Sequence, residues 1–129
     1  MPQTLHALTS ADPQTDPTSG LPNRALLLRV LDPLLALGRR NARPLAALHL
    51  RVPAVAEHGW LVRPVADAIQ EEVRAGDVVA RIAHDGFVVA LLEVWEPDAA
   101  GRVAQRLLLR LAAELGLDQT AQVGVGVAF

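Results

Sequence analysis

The sequence predicts an α+β fold: a mainly antiparallel central sheet with helices packed on it. Three observations carry that reading. The stretch LAALHLRV alternates like a half-buried strand. VVARIAHDGFVVALLE reads as two strands joined by a short polar tip. Three longer segments repeat their apolar residues at helical spacing. In chain order the elements run helix, strand, helix, strand, strand, helix, strand, which suits one antiparallel-containing sheet covered by helices.

Each element has its own warrant. Residues 1–20 are rich in Pro, Thr, Ser, Gln and Asp and are expected to form a flexible N-terminal arm, leaving 21–129 as the domain. In the first helical segment Leu27, Leu31, Leu34 and Leu35 share a face, Arg39 and Arg40 suit its C-terminal end, and Pro33 predicts a kink or an early break. In the strand that follows, Ala46, Leu48, Leu50 and Val52 share one face, and Ala47, His49 and Arg51 share the other. Val62, Val65, Ile69 and Val73 make the next helix face, with Pro64 tolerable in its first turn and Glu71 and Glu72 read as solvated. Pro97 and Asp98 open the last helix and Gly116 stops it. Val103, Leu107, Leu111 and Leu115 face inward, and Arg102, Arg106 and Arg110 form a basic stripe. AQVGVGVAF ends the chain as a strand.

Composition narrows the chemistry. The 129 residues are enough for one core, and the apolar share of 51% marks a globular chain. No cysteine is present, which excludes thiol catalysis, thiolate metal sites and disulfides. Aromatics are only 3% and the net charge is −2 with no basic run, so no nucleic-acid partner is expected. No apolar run reaches membrane-spanning length, and the N-terminus lacks the pattern of a secretion signal. A cytoplasmic location without membrane contact is therefore expected.

Three local stretches add a family resemblance. Asp16 to Arg24, DPTSGLPNR, is similar to the opening D-x-L-T-G-L-x-N-R of the GGDEF domain, the diguanylate cyclase fold, with Ser19 in the place of Thr. DVVARIAHDGFVVALL resembles that family's D-x-x-A-R-x-G-G-D-E-F-x-x-x-L, and VGVGVA resembles its S-x-G-x-A strand. The resemblance covers about residues 16–129 and implies a palm-like nucleotide-cyclase sheet whose hairpin tip carries the chemistry. The family's final helix and strand have no counterpart within the 129 residues.

The departures concentrate at that tip, where Ala83, His84, Asp85, Gly86 and Phe87 stand in for GGDEF. The resemblance assigns the two glycines to close approach of nucleotide, and Ala83 and His84 carry a Cβ there. Asp85 keeps one acidic metal position, Gly86 loses the next, and Phe87 keeps the packing residue. Counting along the preceding strand puts His49 at the family's metal-binding Asp, with Arg51 where a second Asp often follows. Glu57 and Gly59 fall on the guanine-reading positions. Magnesium wants hard oxygen ligands, so the tip is read as degenerate, with no catalytic residue, no metal and no cofactor.

What survives is Arg74-Ala75-Gly76-Asp77, matching the R-x-x-D of the family's product-binding inhibitory site. Arg106 stands at the position of the arginine that completes it. The expected ligand is cyclic di-GMP, whose phosphates and guanines suit Arg and Asp donors and acceptors. The residues also permit a plainer account, a helix-end cation followed by a turn aspartate. The expectation is a catalytically inactive signalling domain that senses cyclic di-GMP and passes the signal to a partner protein or a neighbouring domain. The alternative is a nucleotide-independent interaction or dimerisation scaffold, with a homodimer as one form. GTP binding without turnover is a third reading.

Overall fold

In this computed structural model the described residues are 14–41, 44–116 and the strand 122–128. Helix α1 spans Arg24–Asn41. Asn23 starts it by accepting the Leu26 N–H on Oδ1 at 3.1 Å, which satisfies one orphan donor of the first turn. Of the kink or early break expected at Pro33, the early break does not occur: the helix runs on to Asn41. Pro33 forgoes its own ladder bond there and is exposed.

Strand β1, Leu45–Arg51, keeps the alternation seen in the sequence. Ala46, Leu48, Leu50 and Val52 are fully buried, while His49 and Arg51 are exposed. A five-residue helix α2, Pro53–Glu57, and a 3-10 turn, Gly59–Leu61, precede helix α3, Val62–Glu72. Strands β2, Val78–Ala83, and β3, Gly86–Leu92, form the hairpin, followed by helix α4, Pro97–Leu115, and strand β4, Gln122–Ala128. Gly116 closes α4 at φ 89°, a backbone that glycine adopts freely, and donates to the Ala112 carbonyl at 2.9 Å.

The sheet order is β2-β3-β1-β4 and every pair is antiparallel. β1 lies inside the sheet, with Leu48 opposite Val89 and Leu50 opposite Phe87. That face meets Val65 and Ile69 of α3 and Leu107 and Leu111 of α4 in one aliphatic core. α3 and α4 are further joined through Arg110, whose guanidinium contacts Glu71 at 2.5 Å, Glu114 at 3.1 Å and Glu72 at 3.2 Å. Its hydrogen bonds to Glu71 and then to Glu114 raise its pKa. Glu71 and Glu72 are therefore not simply solvated: they answer an arginine on the neighbouring helix.

The expected arm is also revised. Residues 1–13 lie outside the described residues, but 14–20 pack against the hairpin. Thr15 bridges to Pro22, and Ser19 is buried. Asp16 Oδ2 accepts the Ser19 N–H at 2.8 Å and the Ser19 hydroxyl at 2.5 Å. Gly20 turns the chain at φ 77°. Arg81 of β2 then fastens this loop to the sheet. Its main-chain N–H donates to the Pro22 carbonyl at 3.0 Å, its Nη1 reaches both Asp16 oxygens at 3.3 Å, and its Nη2 reaches the His84 carbonyl at 2.9 Å. An N–H on the outer side of β2 thereby finds a partner.

Two predictions follow from this packing. Phe87 is fully buried at the root of the tip. Phe87→Ala should cost about 3–5 kcal/mol in urea unfolding, the usual loss for an aromatic removed from a packed core. Asp16 carries the second prediction. Burial pushes its carboxyl up, but the Ser19 hydrogen bonds and the Arg81 charge outweigh that and hold it below the ordinary 3.8. A carboxyl lowered in the folded state stabilises above its unfolded value and loses that contribution as pH falls through the folded one. The urea midpoint of Asp16→Asn should fall below wild type at pH 7, and the gap should narrow as pH drops beneath 3.8. A gap constant with pH would refute the clasp.

Candidate functional site

The hairpin has two ends, and the sequence placed candidate residues at both. At the tip, His84 and Asp85 form a two-residue turn between β2 and β3. Among the described residues Glu93 is the sole non-glycine with positive φ, so Ala83 and His84 keep ordinary backbone. The primed turns usual for two-residue hairpins need positive φ, and here the register shifts between Arg81 and Ala83 instead. Main-chain carbonyls fix the turn: Val52 N–H donates to that of Asp85 at 2.7 Å, and Arg81 Nη2 to that of His84.

The side chains at the tip are paired by charge. Arg51 Nε donates to Asp85 Oδ2 at 3.0 Å. That hydrogen bond, and then the Arg51 charge, lower the Asp85 carboxyl. β1 pairs Arg51 with Gly86 and His49 with Val88, so an arginine and a histidine, not carboxylates, lie beside the turn. A Cβ on Gly86 would stand 3.3 Å from the Ala83 Cβ and 3.6 Å from the His49 Nε2. A side chain there would require its neighbours to give way. Glu57 ends α2 and Gly59 opens the 3-10 turn, and both are exposed.

The divalent cations that the family resemblance implies need several oxygen donors. Asp85 is the acidic side chain this turn offers, and it is neutralised by Arg51. Among the described residues no group of three or more His, Asp or Glu gathers to hold a metal. The donor set does not fit a two-cation centre.

At the opposite end of the hairpin Arg74, Asp77 and Arg106 come together on the wall of one cavity of about 460 Å³. Asp77 has a side chain only 3% exposed. Its Oδ2 accepts the Arg74 N–H and its Oδ1 accepts the Leu92 N–H, each at 3.0 Å. The Arg74 guanidinium lies 3.5 Å from Asp77 and also donates to the Leu92 carbonyl, yet its side chain stays 64% exposed. Asp77 therefore holds Arg74 and the end of β3 in place rather than facing outward. Arg106 Nη2 donates to the Glu72 carbonyl at 3.0 Å, satisfying one orphan acceptor at the end of α3. The three residues expected together are together. Trp95, Glu93, Glu96 and Arg102 line the same cavity, and the sequence reading assigned them no role in it. Arg102 had been read only as part of the helix stripe, and Trp95 sits in a connection without periodicity.

No family model matches the chain. A bifunctional diguanylate cyclase/cyclic di-GMP phosphodiesterase, MucR of Pseudomonas aeruginosa, is 33% identical over 126 residues, covering 87% of this chain and 18% of that protein. The chain thus spans under a fifth of that relative's length. Among solved structures, the diguanylate cyclase SiaD of P. aeruginosa, in complex with its activator SiaC, is 26% identical. It superposes at TM-score 0.76 over 99% of this chain and 56% of that one. A sensory box/GGDEF family protein from Caulobacter crescentus, also 26% identical, gives a TM-score of 0.75 over 88% of this chain and 83% of that one. With the antiparallel sheet, the covering helices and the hairpin in matching order, the chain has the GGDEF-domain fold.

Proposed function

We propose that this chain is a signalling module of a cyclic di-GMP system that does not make the dinucleotide but binds it, through Arg74, supported by Asp77, and Arg106, held by Glu72. The observation that carries the reading is the convergence of those three residues on one cavity, two guanidinium heads exposed and the carboxylate buried behind them. Cyclic di-GMP presents two phosphates and two guanines. A guanidinium forks onto phosphate or a guanine edge and stacks on the base. The volume of about 460 Å³ lies within the range of small-molecule sites. The relative is named for making and degrading cyclic di-GMP, and one structural neighbour is named a diguanylate cyclase, which supports this ligand over others.

The loss of turnover is part of the same proposal. Arg51 and His49 flank the one acidic side chain of the turn, so magnesium and a triphosphate find too little negative charge to gather them. A signal received in the cavity would pass to a neighbouring domain or a partner protein. A second reading has an observation of its own. Both Asp77 oxygens already serve main-chain N–H groups, and Arg74 already bonds the Leu92 carbonyl. That closure is complete without ligand and suits a nucleotide-independent scaffold that works through its surface.

Calorimetric titration with cyclic di-GMP separates the two. Wild type should bind in the micromolar range. Arg74→Ala should weaken binding roughly tenfold to a hundredfold, the worth of one or two charge-assisted bonds. No heat from wild type at high micromolar ligand would overturn the sensing reading and favour the scaffold. Incubation with GTP and Mg²⁺ should yield no cyclic di-GMP above a no-protein control. Robust product formation would overturn the view of the tip.

A further inference from the structure

Trp95 stands on the wall of the Arg74–Arg106 cavity with 63% of its surface exposed, although it is one of only two tryptophans in the chain. It lies outside the hydrophobic core, so packing does not account for it. Its neighbours on the cavity wall are aliphatics, arginines and the carboxylates Asp77, Glu93 and Glu96, of which Asp77 is turned to main-chain N–H groups. Val94 and Val103 are partly buried aliphatics that continue the core surface outward. Arg74, Arg102 and Arg106 supply three guanidinium groups. Arg102 meets the exposed Glu96 at 3.1 Å, and Arg106 keeps 55% of its side chain exposed. Exposed ion pairs contribute little, so Arg102 is readily released to a ligand.

An exposed indole that shares a cavity wall with three guanidinium groups selects for a particular chemistry. An inorganic anion would use the arginines and leave the indole idle. A purely apolar ligand would use the indole and leave three charges to be desolvated. A molecule that joins flat aromatic rings to phosphates uses both. We propose that Trp95 is the stacking platform for one purine of the bound dinucleotide, with Arg102 as an additional phosphate contact. The assignment rests on the cyclic di-GMP reading above and adds to it the residues that recognise base and phosphate outside the Arg-x-x-Asp pair.

The chain supplies its own reporter. The other tryptophan, Trp60, lies in the 3-10 turn beside the His58 ring and does not line this cavity. Trp60→Phe therefore leaves Trp95 as the single indole. In that background cyclic di-GMP should quench the fluorescence along a curve whose midpoint matches the calorimetric one. Inorganic phosphate at equal charge should not quench it. Trp95→Ala should weaken binding about tenfold, the usual effect of losing one stacked aromatic, and Trp95→Phe should recover most of the loss. Both positions are exposed, and urea unfolding checks that each variant stays folded. Wild type that releases heat while Trp95→Ala binds equally well, or while the indole signal stays constant, overturns the stacking role and leaves the ligand reading intact. Quenching by phosphate alone overturns it as well. Wild type that gives no heat with cyclic di-GMP removes the ligand reading and this assignment with it.

Discussion

The alternation of β1 is the constraint from which the site geometry follows. The strand is paired on both sides, to β3 and to β4, and Ala46, Leu48, Leu50 and Val52 are all fully buried. A slip of one residue would send that whole row to the open face and bring His49 and Arg51 under the helices, an exchange no core tolerates. The register is thereby fixed, and with it the pairs His49–Val88 and Arg51–Gly86. The groups beside the turn are thus set by the hydrophobic pattern two residues away. Arg51 meets Asp85 because Leu50 meets Phe87.

Asp77 settles a similar question at the other end. A buried carboxylate that gives both oxygens to main-chain N–H groups is a structural residue by any measure. It is also what holds the Arg74 guanidinium at the cavity wall. The turn aspartate and the ligand-site aspartate are the same atoms, so the plain and the functional accounts of Arg-x-x-Asp do not compete for this residue. They differ only over whether anything comes to rest against the exposed head of Arg74. Removing Asp77 would strand two main-chain donors as well as free the arginine, which makes Arg74 and Arg106 the informative positions.

Much of this was legible in the sequence, and the pattern of what was not has a physical cause. β1 and the hairpin show as strands because their periodicity is two, and α4 shows its ends through Pro97 and Gly116. The short α2 has too few residues for a period to appear. Residues 14–20 have the composition of an arm, yet they fold through side chain to main chain bonds such as Asp16–Ser19 and through Arg81, 65 positions away. Arg110 finds Glu71 across 39 positions. Such pairs are tertiary facts that no local window holds. The same is true of Trp95, whose place beside Arg74 depends on how the end of β3 turns into α4. Arg74, Asp77 and Arg106 were anticipated as a group through family resemblance, not through spacing alone.

The hairpin also separates the two chemistries. β2 is six residues long, so the tip and the cavity lie about 20 Å apart along it. That is more than twice the roughly 8 Å over which exposed charges are felt in physiological salt. Charge at the tip can change sign without altering the potential in the cavity. At the tip Arg51 cancels Asp85, and neither His49 nor His84 adds negative charge. In the cavity Arg74, Arg102 and Arg106 stand against Asp77, Glu93 and Glu96, a balance indifferent to what happens at residue 85. Mechanical connection is another matter. The strands are laddered along their length, Asp77 ties the start of β2 to the end of β3, and Arg81 ties β2 to the loop at Asp16. A ligand that pulled on Arg74 would therefore load the same hairpin that carries the tip and the opening loop. One stiff, laddered hairpin thus joins a tip where Arg51 pairs with Asp85 to a separate charged cavity.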